Sequence, residues 1–148
     1  MKKILLFIIT LVTTVVFSQN TERPIDFVVI GVPPVYHGCE TQKSASNKKA
    51  CSTKMLMKHI DDNFDFSVSE KTNLAVGQYN VFVSFVIDKK GNISDIKTKG
   101  NDYAPFVNEA IRLVQSIPKY ASPGMHKGKI VEVRFTLPIG FIVEIEKK

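Results

Sequence analysis

The chain has 148 residues, 44% of them hydrophobic and 23% charged, which suits one domain around one core and is too little for several. Its formal net charge of +6 is a mild excess, carried in part by Lys43, Lys48, Lys49, Lys54 and Lys58. That pattern reads as a solvated basic face, and with no interleaved aromatic-and-basic motif it argues against a nucleic-acid partner.

The N-terminus reads MKKILLFIITLVTTVVFSQN. Lys2 and Lys3 precede a mostly apolar run from Ile4 to Phe17, and Val16 and Ser18 stand at positions −3 and −1 of a cleavage after Ser18. This order is that of a secretory signal peptide over residues 1–18. The run is short for a membrane-spanning helix, which wants about 20 apolar residues. An uncleaved leader acting as an anchor is the alternative. Cleavage would leave no stable membrane anchor. Behind the leader, residues 19–50 are expected to hold a strand and a polar loop, and residues 51–148 the main domain.

Phe27 to Val32 is apolar and β-branched and reads as a short strand, stopped by Pro33 and Pro34. Cys39 and Cys51 are the only cysteines. In an exported chain they are expected to bridge across the polar stretch between them, for about 3 kcal/mol of loop-closure stabilisation. Two alternatives stand beside the bridge: a metal set recruiting His37 or His59, and a small secreted thiol or redox protein. The spacing is not a zinc pattern, and no helix start or fixed histidine is visible beside either sulfur. Thr41 to Lys49 reads as a loop. Ser52 or Thr53 then caps a helix whose buried face is Leu56, Ile60 and Phe64.

From Tyr79 to Asp88 the residues alternate with period two, and the Asp88–Asn92 stretch DKKGN turns the chain into a second strand from Ile93 to Thr98. Asn101 or Asp102 caps the next helix, with Pro105 in its first turn and a stripe of Phe106, Ala110, Leu113, Val114 and Ile117. A loop follows, and IVEVRFTL (130–137) alternates again before Pro138 interrupts it. The order predicts an α+β fold, two helices packed on one face of a small, mostly antiparallel sheet of three to four strands. A right-handed crossover places the last strand beside the first strand of the hairpin, toward an edge.

No catalytic constellation is legible. His37, His59 and His126 lie in three separate segments. Asp61 and Asp62 are adjacent, and there is no phosphate-binding glycine loop or nucleophile elbow. Neither an enzyme nor a cofactor or metal requirement is expected.

Three segments together are similar to the C-terminal domain of TonB: VFVSFVIDKKGNISDIK, NEAIRLVQSIPKY and PGMHKGKIVEVRFTLPIGF. The variety it most resembles carries a GCE stretch before the first helix, here Gly38-Cys39-Glu40. Gly77, Glu109-Ala110 and Pro123-Gly124 also fall in place, and the resemblance covers about Val35 to Ile142. It implies a TonB C-terminal-like fold, a place in the periplasm, and a partner that is an outer-membrane TonB-dependent receptor or another envelope protein. The partner's extended peptide would add as a strand to the last strand of the domain. Carried onto this chain, the candidate edge is Lys129, Ile130, Val131, Glu132, Val133, Arg134, Phe135 and Thr136. Phe27 to Val32, or the tail Phe141 to Ile145, is the segment that would cover it. An energy transducer of this family keeps an N-terminal helix in the inner membrane and spans the periplasm on a long Pro-rich linker. Here only about 34 residues separate the leader from the first helix, at most about 120 Å of extended chain. The aromatic-proline pair usual after the first helix is replaced by NFDFSVSE, and Tyr120 stands where Trp is common. The expectation is therefore a non-enzymatic periplasmic binding module, with the inner-membrane-anchored transducer as the alternative.

Overall fold

The computed structural model describes residues 23–70 and 72–145. The leader expected over residues 1–18 lies outside them. In chain order the elements are β1 (Ile25–Asp26), α1 (Ala45–Asn63), α2 (Ser67–Glu70), β2 (Gly77–Ile87), β3 (Ile93–Gly100), α3 (Ala104–Gln115), β4 (Gly124–His126), β5 (Lys129–Val131) and β6 (Val133–Val143). β1, β6, β2 and β3 form one sheet in that order, and β4 and β5 form a separate two-stranded ribbon. β2 is central and antiparallel to both β3 and β6, whereas β1 joins β6 in parallel. The fold is α+β, as the alternation of periods predicts.

Period-two patterning sets the layers. Val133, Phe135, Leu137, Ile139, Phe141 and Val143 of β6 are buried, while Thr136, Pro138, Gly140 and Ile142 are exposed. β2 buries Val81, Val83, Phe85 and Ile87 on the same side. Over that face lie Leu56 and Ile60 of α1 and Phe106, Ala110, Leu113 and Val114 of α3. Phe106 stacks on Phe141 at 4.3 Å between centroids, and Phe85 on Phe135 at 5.4 Å. Each such ring contributes about 1.5–3 kcal/mol by burial.

The β2–β3 hairpin closes on Asp88, whose carboxylate accepts from the main-chain N–H of Lys90 and Asn92, both at 2.8 Å. Gly91 has φ +88, and a Cβ there would meet the Tyr120 carbonyl oxygen at 2.7 Å. Glycine is required on both counts.

Three expectations shift. α1 begins at Ala45, capped by the Ser44 hydroxyl, which accepts from the Asn47 N–H at 3.1 Å. Ser52, read as a cap, is instead buried inside the helix and accepts from the Tyr36 N–H at 3.0 Å. The strand read over Phe27 to Val32 is only Ile25–Asp26. The Val29 N–H closes a turn on Asp26 O at 3.0 Å and leads the chain away, leaving Val28 exposed. Pro138 does not interrupt the last strand, which runs unbroken through it to Val143.

Candidate functional site

The eight residues expected to form the edge divide among four environments. Lys129–Val131 belong to β5 and pair with β4 across a tight turn in which Lys127 and Gly128 both have positive φ. They are not part of the main sheet. Glu132 and Arg134 already serve the chain's own N-terminal segment: the Ile25 N–H donates to Glu132 O at 2.8 Å, and the Phe27 N–H to Arg134 O at 2.9 Å. Those two bonds also fix the sidedness of β6. Main-chain groups alternate sides along a strand, so even-numbered residues face outward and odd-numbered ones face β2. The main-chain groups of Val133 and Phe135 therefore point inward, opposite Ile87 and Phe85. Thr136 is the first outward residue beyond the reach of β1.

From Thr136 to Ile142 the outer side of β6 pairs with no strand among the described residues. Its outward carbonyls belong to Thr136, Pro138, Gly140 and Ile142, and its outward N–H groups to Thr136, Gly140 and Ile142. Pro138 sits opposite Phe82 at an outward position, so its missing N–H costs the sheet no internal bond. The opposite edge of the sheet, β3, is of another kind. Asp95 has positive φ and pairs with Lys97 at 2.7 Å, and Lys97 and Lys99 are exposed along the strand. Charged side chains and a local kink are the usual means of blunting an edge.

Two grooves border the β6 edge. One, of about 400 Å³, lies between Asp26–Val29, the α1 residues Thr53, Leu56 and Met57, and Arg134–Leu137. The other, of about 830 Å³, lies at the far end, between Asp61, Phe64, Phe66, Ser69 and Glu70 on one side and Gly140, Ile142, Glu144 and Ile145 on the other. Gly140 and Ile142 are residues whose main-chain groups face outward, so this second groove runs along the unpaired row.

Local interactions hold both walls. Phe27 stacks on Phe135 at 4.0 Å. The Lys49 ammonium lies 4.7 Å over the Phe27 ring and donates to Phe27 O at 3.0 Å and Val28 O at 3.3 Å. At the other end Glu109 is buried on α3. It accepts from Arg112 Nε at 2.6 Å, Arg112 Nη2 at 2.7 Å and the Asp65 N–H at 2.9 Å. Arg112 Nη2 also donates to Asn63 O at 2.6 Å. The pair thus clamps the loop after α1, and Phe64 leans on Phe141 at 5.3 Å.

Elsewhere the chemistry is structural. His59 Nε2 is 2.9 Å from Ser116 Oγ, but that hydroxyl donates to Leu113 O at 2.8 Å, so the pair is not poised as nucleophile and base. Burial pushes the His59 imidazole below its ordinary value, against the pull of Asp62. His37 faces Glu40 at 3.6 Å, and no group of three metal-ligating side chains is found among the described residues. Cys39 and Cys51 form a disulfide.

The edge's true start, the Phe64–Phe66 wall and the Glu109–Arg112 clamp are not legible in the sequence. The i,i+3 spacing of Glu109 and Arg112 is visible. Their reach back to residues 63–65 is not. Residues 78–143 match the family model for the Gram-negative bacterial TonB protein C-terminal. These residues belong to the TonB C-terminal family. The TonB C-terminal segment runs from the start of β2 to the end of β6, so it contains the whole unpaired edge, while β1, α1, α2 and the disulfide precede it. The TonB C-terminal domain is a non-enzymatic protein-interaction domain of the Gram-negative envelope. No curated protein matches the chain. No helix among the described residues is long and apolar enough to cross a membrane.

Proposed function

We propose that this protein is a periplasmic binding module that takes an extended segment of an outer-membrane TonB-dependent receptor, or of a related envelope protein, as an added strand on the outer side of β6. The docking row is Thr136 to Ile142, displaced toward the C-terminus from the edge that the resemblance implies, because β1 occupies Glu132 and Arg134. The leader read over residues 1–18 directs the module to the periplasm. One observation carries this reading: a row of outward amides and carbonyls with no partner among the described residues, bordered by two grooves lined with apolar side chains. Main-chain pairing supplies the affinity in such an arrangement, and pockets at alternate side chains supply preference.

Amide hydrogen exchange tests it. In the free protein the N–H groups of Thr136, Gly140 and Ile142 exchange quickly, while those of Leu137 and Ile139, which face β2, are protected. Adding a peptide from the periplasmic N-terminus of a receptor should protect the first three and leave the others unchanged. Full protection of Thr136, Gly140 and Ile142 before any peptide is added would end the proposal.

A further inference from the structure

The groove at the end of β6 joins an apolar floor to an acidic rim. Phe66 is 68% exposed with Phe64 beside it, and Ile142, on the sheet face turned away from the helices, borders the groove and is 61% exposed. Asp61, Glu70 and Glu144 surround that patch, and none of the three forms an ion pair with another described residue. Among the described residues no basic side chain lines the groove, although the chain carries 20 Lys+Arg against 14 Asp+Glu. Three carboxylates thus stand together beside the unpaired edge of a basic protein.

We propose that this groove selects an extended partner segment in which a bulky apolar side chain is flanked by Lys or Arg, an inference that rests on the reading of β6 as a strand-accepting edge. An added strand turns every second side chain toward the helices, about 6.7 Å apart. An aromatic side chain over Phe64 and Phe66 leaves the neighbours two residues away, on the same face, within reach of the rim. Aliphatic stems of Lys or Arg cover the apolar floor while their charges meet the carboxylates. An acidic segment meets like charge at the same place. Each exposed pair is weak, so discrimination comes from several acting together, and reversing two charges on the partner amounts to about tenfold in affinity at low salt.

The test uses the full protein as isolated from the envelope and three synthetic peptides, acetyl-Val-Lys-Thr-Phe-Thr-Lys-Val-amide and the same sequence with both lysines replaced by Glu or by Gln. The Lys peptide should bind about tenfold more tightly than the Glu peptide, with the Gln peptide between them. The gap should close in the Glu70→Gln/Glu144→Gln variant and at high salt. Equal affinities, or tighter binding of the Glu peptide, with the edge amides still protected, overturn the charge selection and leave strand addition standing. No binding of any of the three overturns both. Two rival occupants would overturn it as well. If a second copy fills the groove, the protein is dimeric and the double variant monomeric. If the chain's own Lys147 and Lys148 fill it, the Lys peptide binds only to a chain ending at Ile145.

Discussion

Glu109 is a charged side chain only 5% exposed, and its cost is offset by three donors, two on Arg112 of α3 and one in the loop after α1. Hydrogen bonds to ionised groups contribute about 1.5–3 kcal/mol, and a donor left unmatched in a buried site costs a comparable amount. Glu109→Gln keeps the shape but turns an amide NH2 toward the Arg112 fork, so one donor faces another. The expected loss is about 2 kcal/mol, read from urea unfolding. Because the clamp also holds the Asp65 N–H, exchange at that amide should accelerate before global unfolding. Unchanged exchange at Asp65 would show that the loop is held by its other contacts, among them the Phe64 packing and the Arg112–Asn63 bond. Arg112 is half exposed, so its replacement by Lys should cost less than the Glu109 change. Lysine still neutralises the carboxylate but cannot bridge it to Asn63 O with a planar fork.

At the scale of the element, β6 shows what alternation does and does not reveal. The pattern of IVEVRFTL and the residues after it separates a buried face from an open one, and the structure keeps that division. Alternation of side chains says nothing about where the strand starts or which neighbour claims its main-chain groups. Those depend on the Lys127–Gly128 turn, which splits off Lys129–Val131, and on β1, whose two-residue pairing no periodic signal marks. Pro138 was the available clue, since a proline inside a strand belongs where its missing N–H faces away from the sheet. The same logic yields a paired prediction. Thr136→Pro removes an outward donor and should leave the melting temperature nearly unchanged while weakening peptide binding several-fold, about 1 kcal/mol. Val133→Pro removes an inward group opposite Ile87 and should destabilise the fold by about 3 kcal/mol or more, whatever is bound. Thermal melts and peptide titrations on both variants separate the two sides of the strand. A Thr136→Pro protein that melts far lower would mean that the sidedness is reversed.

For the molecule as a whole, the legible part is the part whose order is local. The β2–β3 hairpin, α3 and β6 carry their periods in contiguous residues, and they coincide with the segment matched by the TonB C-terminal family. The N-terminal third folds by long reach. Val35 bridges to Ser122, Val32 to Met125, and the Tyr36 N–H finds Ser52. The polar stretch before Cys51, read as a loop, is the solvent-facing start of α1, which has no apolar stripe to announce it and relies on the Ser44 cap. The Cys39–Cys51 bridge ties this wrapping segment to α1. Cys39 is fully buried beside Tyr36 and Val35 in the core, and such burial suits a staple better than a thiol that must meet a substrate. Because the wrap leads back to β1 and its hold on Arg134, the bridge bears on the docking edge at a distance. Cys39→Ser/Cys51→Ser should lower stability by about 3 kcal/mol by the chain-entropy argument, seen as a lower denaturation midpoint. Exchange at Ile25 and Phe27 should rise while that of the β2–β3 hairpin holds. If the midpoint and the β1 amides are both unmoved, the bridge does not staple the wrap, and a chemical role for the sulfurs becomes the reading to test.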